Sequence, residues 1–179
     1  MLEEYTRKLQ RSKQIIVYTD ESLITDVTSN SSNSIELKRQ RISFGAICLV
    51  KNLNLGRIEW KGKVEGSLSS TRAELWIILS VLWVIPNKTS IKIITDSESS
   101  IKAIKGYTNE HKGKYRSNYS NPLILQTIKE LIYTKEIDLE LEKIKAHQGD
   151  YNNERVDELA KLESNSGFIF SINPKYLRE

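Results

Sequence analysis

The stretch Arg72 to Ile85, RAELWIILSVLWVI, constrains this chain more than any other segment, because a helix built from it is apolar on almost every side. A helix with no polar face is buried centrally, with other elements packed around it. Ser69, Ser70 and Thr71 offer hydroxyls to cap its start, and Pro86 stops it. Its longest apolar run, Leu75 to Ile85, is interrupted by Ser80 and falls short of the ~18 residues that suggest a membrane span. No membrane insertion is expected, and the charged start MLEEYTRKLQRSKQ lacks an apolar signal core. The expected location is intracellular, cytoplasmic or nuclear. The 179 residues suffice for one core without covalent staples, and the single cysteine, Cys48, cannot form an intramolecular disulfide. Two histidines and one cysteine also make a structural zinc site a poor reading.

Around the central helix, apolar runs alternate with turn signals. Gln14 to Thr19 (QIIVYT) reads as a buried strand ending at Asp20. Ser22 to Arg41, rich in Ser, Thr and Asn and then basic, reads as a long polar surface loop. Phe44 to Val50 and Gly56 to Val64 read as hairpin strands, the second alternating apolar and polar residues as a strand with one wet face does. Beyond the helix, Ile91 to Thr95 is a strand ending at Asp96, followed by a short helix from Ser97 to Lys105. Pro122 opens a further helix, Ile137 to Lys145 is a last strand, and the loop AHQGDYNN leads into a final helix, ERVDELAKLE. This order predicts an α/β protein with a five-stranded mixed sheet, its first three strands antiparallel, and helices packed on both faces. Residues 1–13 and 167–179 read as terminal extensions of a domain spanning 14–166.

The formal net charge is +4, and its placement is uneven. Between Ile101 and Tyr119 lie Lys102, Lys105, Lys112, Lys114 and Arg116 against the single acid Glu110, so the chain's whole excess resides there. A local basic patch is the footprint of a polyanion binder and equally that of a solvated loop.

Four acids stand out by position. Asp20 and Asp96 each follow an apolar strand, where the edge of a sheet opens to a ligand crevice. Glu74 lies near the start of the most buried helix, and Asp157 in the last one, between Val156 and Leu159. Singly, each has an ordinary reading as a helix-start or turn acid. Brought together they would repel one another, and bound cations would neutralise them. Mg²⁺ suits such a site, since it is held by one or two carboxylates and keeps positions open for phosphate oxygens. Two such ions about 3.5–4 Å apart stabilise both oxygens of an in-line phosphoryl displacement.

The motifs YTDES, SSTRAELWIIL, IITDSES and IKAHQGDYNNERVDELA, in this order, resemble the type 1 ribonuclease H family, especially forms found in or beside retroelements. The resemblance covers roughly Gln14 to Asn165 and implies a ribonuclease H-like fold. It implies hydrolysis of the RNA strand of RNA–DNA hybrids with two Mg²⁺ ions, Mn²⁺ being a substitute, leaving 3′-hydroxyl and 5′-phosphate ends. By the same resemblance, Asp20, Glu74, Asp96 and Asp157 are metal-binding catalytic carboxylates, and His147 assists proton movement or product release. Ser22, Ser69, Ser70 and Thr71 fall among the substrate-binding positions, with Tyr107, Lys112, Lys114, Tyr115, Arg116 and Tyr119 on the DNA side. Arg72 is expected to buttress the helix start.

The chain departs from the family pattern at three points. Glu21 follows the first aspartate where Gly is usual, and Ser70 and Thr71 precede RAEL where Asn or Gln is common, with Ser69 in place of a phosphate-binding threonine. The segment Ser22 to Arg41 is also longer than usual. These changes leave open a second reading, a nucleic-acid-binding module of the same fold with weakened catalysis. The residues are compatible with a free-standing domain and with part of a polyprotein, in any oligomeric state.

Overall fold

Strands β1 (Gln14–Thr28), β2 (Leu37–Val50), β3 (Arg57–Glu65), β4 (Ser90–Thr95) and β5 (Asp138–Lys143) form one sheet in the order β3-β2-β1-β4-β5 in the computed structural model. The structure describes residues 2–10, 12–28, 37–50, 57–65, 69–109, 119–145 and 150–163. β1, β2 and β3 pair antiparallel, whereas β1 with β4 and β4 with β5 pair parallel. The mixed sheet with an antiparallel beginning is the one the sequence predicts. Consecutive strands leave β1 on one side and β4 joins it on the other, so a topological switch point, where α/β proteins open a crevice, falls at the ends of β1 and β4.

The helices are α1 (Leu2–Leu9), α2 (Ser70–Val84), α3 (Glu98–Asn109), α4 (Pro122–Thr134) and α5 (Tyr151–Glu163). Side chains alternate across a pleated sheet, and the two hydrophobic clusters follow that alternation. Ile15, Val17, Ala46, Cys48, Ile91 and Ile93 form the main core with α2, α3 and α4. Tyr18, Ile47 and Leu49 point the other way and meet Val156 and Leu159 of α5. Helices therefore cover both faces, and α2, apolar on nearly all sides, is the buried one as expected. On the opposite face α5 lies almost on bare backbone: a Cβ at Gly45 would sit 2.6 Å from the Val156 carbonyl oxygen, so only glycine allows this approach.

The structure differs from the sequence reading at several boundaries. β1 continues to Thr28 and β2 begins at Leu37, with ladder pairs from Glu21 opposite Phe44 to Thr28 opposite Leu37. Much of the expected Ser22–Arg41 loop is therefore strand, and residues 29–36 lie outside the described residues. Ile24, Thr25, Val27 and Thr28 are β-branched and favour extended backbone, and the ladder's hydrogen bonds do not depend on side-chain polarity. The short third helix runs on to Asn109, and the last strand is trimmed to Asp138–Lys143. Residues 1–13 are not merely an appendage, because Leu9 of α1 is fully buried in the main core. The C-terminal extension lies outside the described residues.

Candidate active site

β1 and β4 carry the same dipeptide, Thr-Asp, at the same level of the sheet. Tyr18 pairs with Ile94, so Thr19 and Thr95 come next on neighbouring strands, and then Asp20 and Asp96. Asp20 is within β1 rather than just after it, because the strand continues as the hairpin with β2 after its parallel partner has ended. Both threonine side chains are fully buried and face α2. Their hydroxyls donate to one oxygen, Glu74 Oε1, each at 2.6 Å. Thr95 Oγ1 also accepts from the Ser97 amide at 3.1 Å, which holds the turn behind Asp96 in place.

Glu74 sits one turn inside α2, beyond the N-terminal turn, and its side chain is fully buried. The helix-start reading of this acid therefore does not apply. Burial pushes its carboxyl up to about 7, although the two threonine bonds pull against that rise. Its other oxygen, Oε2, is buried and has no hydrogen-bond partner. Asp20 is pushed up to about 8, first by burial and then by the charges of Asp96, Glu74 and Asp157, while the Glu21 amide donating to Oδ1 at 2.8 Å opposes the shift. The four acids singled out by sequence thus meet within electrostatic reach of Asp20. Glu21 is also raised, by burial and by Asp96. Asp157 takes a different partner, the Lys161 ammonium at 2.6 Å, one helical turn on.

The donor set is all hard oxygen, and Glu74 Oε2 is a buried acceptor lacking any donor, so the residues fit hard divalent cations. Among the described residues no three acid, histidine or cysteine side chains form a ready-made cage. A cation here would be held by carboxylate oxygens and complete its shell with water or phosphate oxygens, as hard divalent cations do.

The expected substrate-binding residues are distributed unevenly. Ser69 is the N-cap of α2, its Oγ accepting from the Arg72 amide at 3.2 Å. Ser70 is exposed beside it, and Thr71 Oγ1 shares a 2.8 Å hydrogen bond with Ser99 Oγ, tying α2 to α3. Ser22 is part-buried and its carbonyl accepts from Ser43 Oγ at 3.4 Å. Tyr107, expected to touch DNA, is instead core: it is buried, its hydroxyl donates to Gln126 at 3.0 Å, and its ring meets Tyr119 edge-on. Lys102 pairs with Glu98 on the α3 surface. His147, Lys112, Lys114, Tyr115 and Arg116 lie outside the described residues.

Sequence reasoning passed over Thr19, Thr95 and Lys161. The signal for the threonines was the repeated Thr-Asp after two apolar runs; that for Lys161 was its spacing of four from Asp157.

The ribonuclease H family model matches residues 12–165, and the chain belongs to that family. Among solved structures, the foamy viral protease–reverse transcriptase in complex with dsDNA is 17% identical, with a TM-score of 0.61 over 88% of this chain and 97% of that one. LC9-RNase H1, described as a type 1 RNase H with the type 2 active-site motif, is 14% identical, with a TM-score of 0.57 over 94% of this chain and 82% of that one. The foamy viral protein in complex with RNA/DNA hybrid is 12% identical, with a TM-score of 0.54, covering 88% of this chain and 20% of that chain. At these identities the likeness establishes the fold, a ribonuclease H-like mixed sheet with helices. No curated protein matches significantly by sequence. Among the described residues no helix is long and apolar enough to cross a membrane.

Proposed function

We propose that the chain is an endoribonuclease that cuts the RNA strand of RNA–DNA hybrids with the help of two divalent cations, Mg²⁺ or Mn²⁺, leaving 3′-hydroxyl and 5′-phosphate ends. The observation that carries this reading is the meeting of Asp20, Glu74, Asp96 and Asp157 at the switch point of a ribonuclease H fold, with Glu74 Oε2 buried and unpartnered. When bound, the cations supply Lewis-acid activation of water and neutralise the charge developing on the phosphate. Asp20, which the charges of the other three acids all reach, would help hold the cations, with Glu74, Asp96 and Asp157 as the remaining carboxylate ligands. The Thr19 and Thr95 hydroxyls hold Glu74 so that Oε2 alone is presented. Asp20 and Glu74, whose carboxyls burial raises, would be held in their ionised forms by a neighbouring positive charge. His147 would move a proton or help release product. Ser22, Ser70 and Thr71 would lie along the RNA strand with Ser69 near a phosphate, while Lys112, Lys114 and Arg116 would meet the DNA backbone, adding affinity without sequence preference.

The test is cleavage of end-labelled RNA–DNA hybrid, duplex RNA and duplex DNA in Mg²⁺, Mn²⁺ or excess chelator. Hybrid RNA should be cut only with a divalent ion present. Undiminished cleavage in chelator would sink the metal reading, and hybrid binding with no cleavage under any metal would select the weakened binding module instead.

A further inference from the structure

Asp20 and Glu21 are neighbours in β1 and therefore point to opposite faces of the sheet. Asp20 follows Tyr18 toward α5, the helix that carries Asp157. Glu21 follows Thr19 toward α2, the side from which Glu74 arrives. The two glutamates share an unusual condition. Glu21 Oε2 and Glu74 Oε2 are both shut away from water, and neither has a hydrogen-bond partner. Glu74 is fully buried, and its other oxygen is already taken by two hydroxyls. Of the charges that reach Glu74, that of Glu21 acts most strongly, with Asp96 next, and Asp96 is the charge that reaches Glu21. Two carboxylate oxygens deprived of water, without donors and on one side of a sheet lack a positive partner.

We propose that Glu21 is a ligand of the divalent cation on the Glu74 side, so that Glu21 and Glu74 together present their unpartnered Oε2 atoms to it and the centre carries a fifth carboxylate. The inference rests on the metal-dependent reading of the site given above. Five carboxylates exceed the charge of two divalent cations by one. Lys161, held 2.6 Å from Asp157 on the opposite side, supplies the compensating positive charge.

The experiment is calorimetric titration of the whole chain with Mg²⁺ and with Mn²⁺, in the absence of nucleic acid, for the wild type, Glu21→Gln and Glu21→Gly. Glutamine keeps the shape and removes the charge; glycine removes the whole side chain and guards against a misfolded first variant, with circular dichroism and apo melting checking the fold. The wild type should bind the metal, and both variants should bind one ion about tenfold more weakly, the loss being larger for Mg²⁺ than a purely structural role would give. Folded variants with unchanged affinity and stoichiometry would overturn the proposal while leaving the metal reading intact. If both variants melt higher without metal but titrate as the wild type does, Glu21 and Glu74 merely share a proton, and the proposal falls. A wild type that binds neither ion takes down the metal reading and this inference together.

Discussion

The two sides of the site are built to different standards. On the α2 side, Glu74 is fully buried in the main core, gripped by two buried hydroxyls, and carried by a helix surrounded by other elements. On the α5 side, Asp157 is partly exposed and pairs with Lys161, whose side chain is 61% exposed. α5 rests on the sheet through a small cluster, Ile47, Val156 and Leu159, and on the bare backbone at Gly45. The first carboxylate is positioned before any ligand arrives, because its geometry is set by core packing. The second is held by a solvated ion pair that is weak enough to be exchanged. Under the proposed function, a centre with one rigid and one adjustable wall would keep its geometry on one side while admitting and releasing ligand on the other.

The largest effect is expected where the two sides meet. Asp20→Asn should reduce hybrid cleavage by about 10³-fold or more, since the several kcal/mol that bound cations contribute depend on this shared carboxylate. The same change should stabilise the protein without metal. The Asp20 carboxyl titrates at about 8 in the folded chain against an ordinary value of 3.8. Between those values the folded state keeps a proton that the unfolded state has lost, so apo stability falls as pH rises through this window. The gain from Asp20→Asn should therefore be absent below about pH 4 and greatest above pH 8, read as melting temperature in chelator at about 2–4 °C per kcal/mol. A gain that instead shrinks with rising pH would show that Asp20 is not desolvated among like charges.

Loosening the rigid wall should weaken the centre directly. Thr19→Val with Thr95→Val keeps the packing volume and removes both donors to Glu74 Oε1. Metal affinity and turnover should each fall about 10–100-fold, as for other groups that orient a ligand. Stability should drop by about 1–3 kcal/mol for the buried carboxylate left unsatisfied. A double variant that loses stability but titrates metal normally would reduce the threonines to packing.

The smallest effect belongs to the adjustable wall. Lys161→Ala removes an exposed pair four residues apart, worth about 0.3–0.5 kcal/mol, so the melting temperature should hardly move. Any effect on Mg²⁺ affinity should be several-fold at most and should fade with added salt. A loss as large as that of the threonine pair would make Asp157 and Glu74 equally rigid, and the contrast between the two sides would disappear.

The sequence alone determined the central helix, the order of strands and helices and the family, and it singled out the four acids. Each depends on local pattern: RAELWIILSVLWVI is apolar whatever surrounds it, and Pro86 and Pro122 punctuate helices by their own chemistry. Tertiary structure decided what depends on which segments become neighbours. Polar composition hid the second half of β1, whose extension exists because residues 37–44 supply a partner ladder. Tyr107 looked like a binding residue until α4 covered it. Lys135, the residue that caps the end of α4, donates its ammonium to the carbonyls of Leu82, Trp83 and Ile85 and so closes the C-terminus of α2 as well. Thr19 and Thr95 lie far apart in the chain and converge on one glutamate oxygen only because β1 and β4 are adjacent and parallel. Periodicity reports how a segment meets an average interior, whereas a hydrogen bond needs a particular partner, and that partner is chosen by the folding of the whole chain.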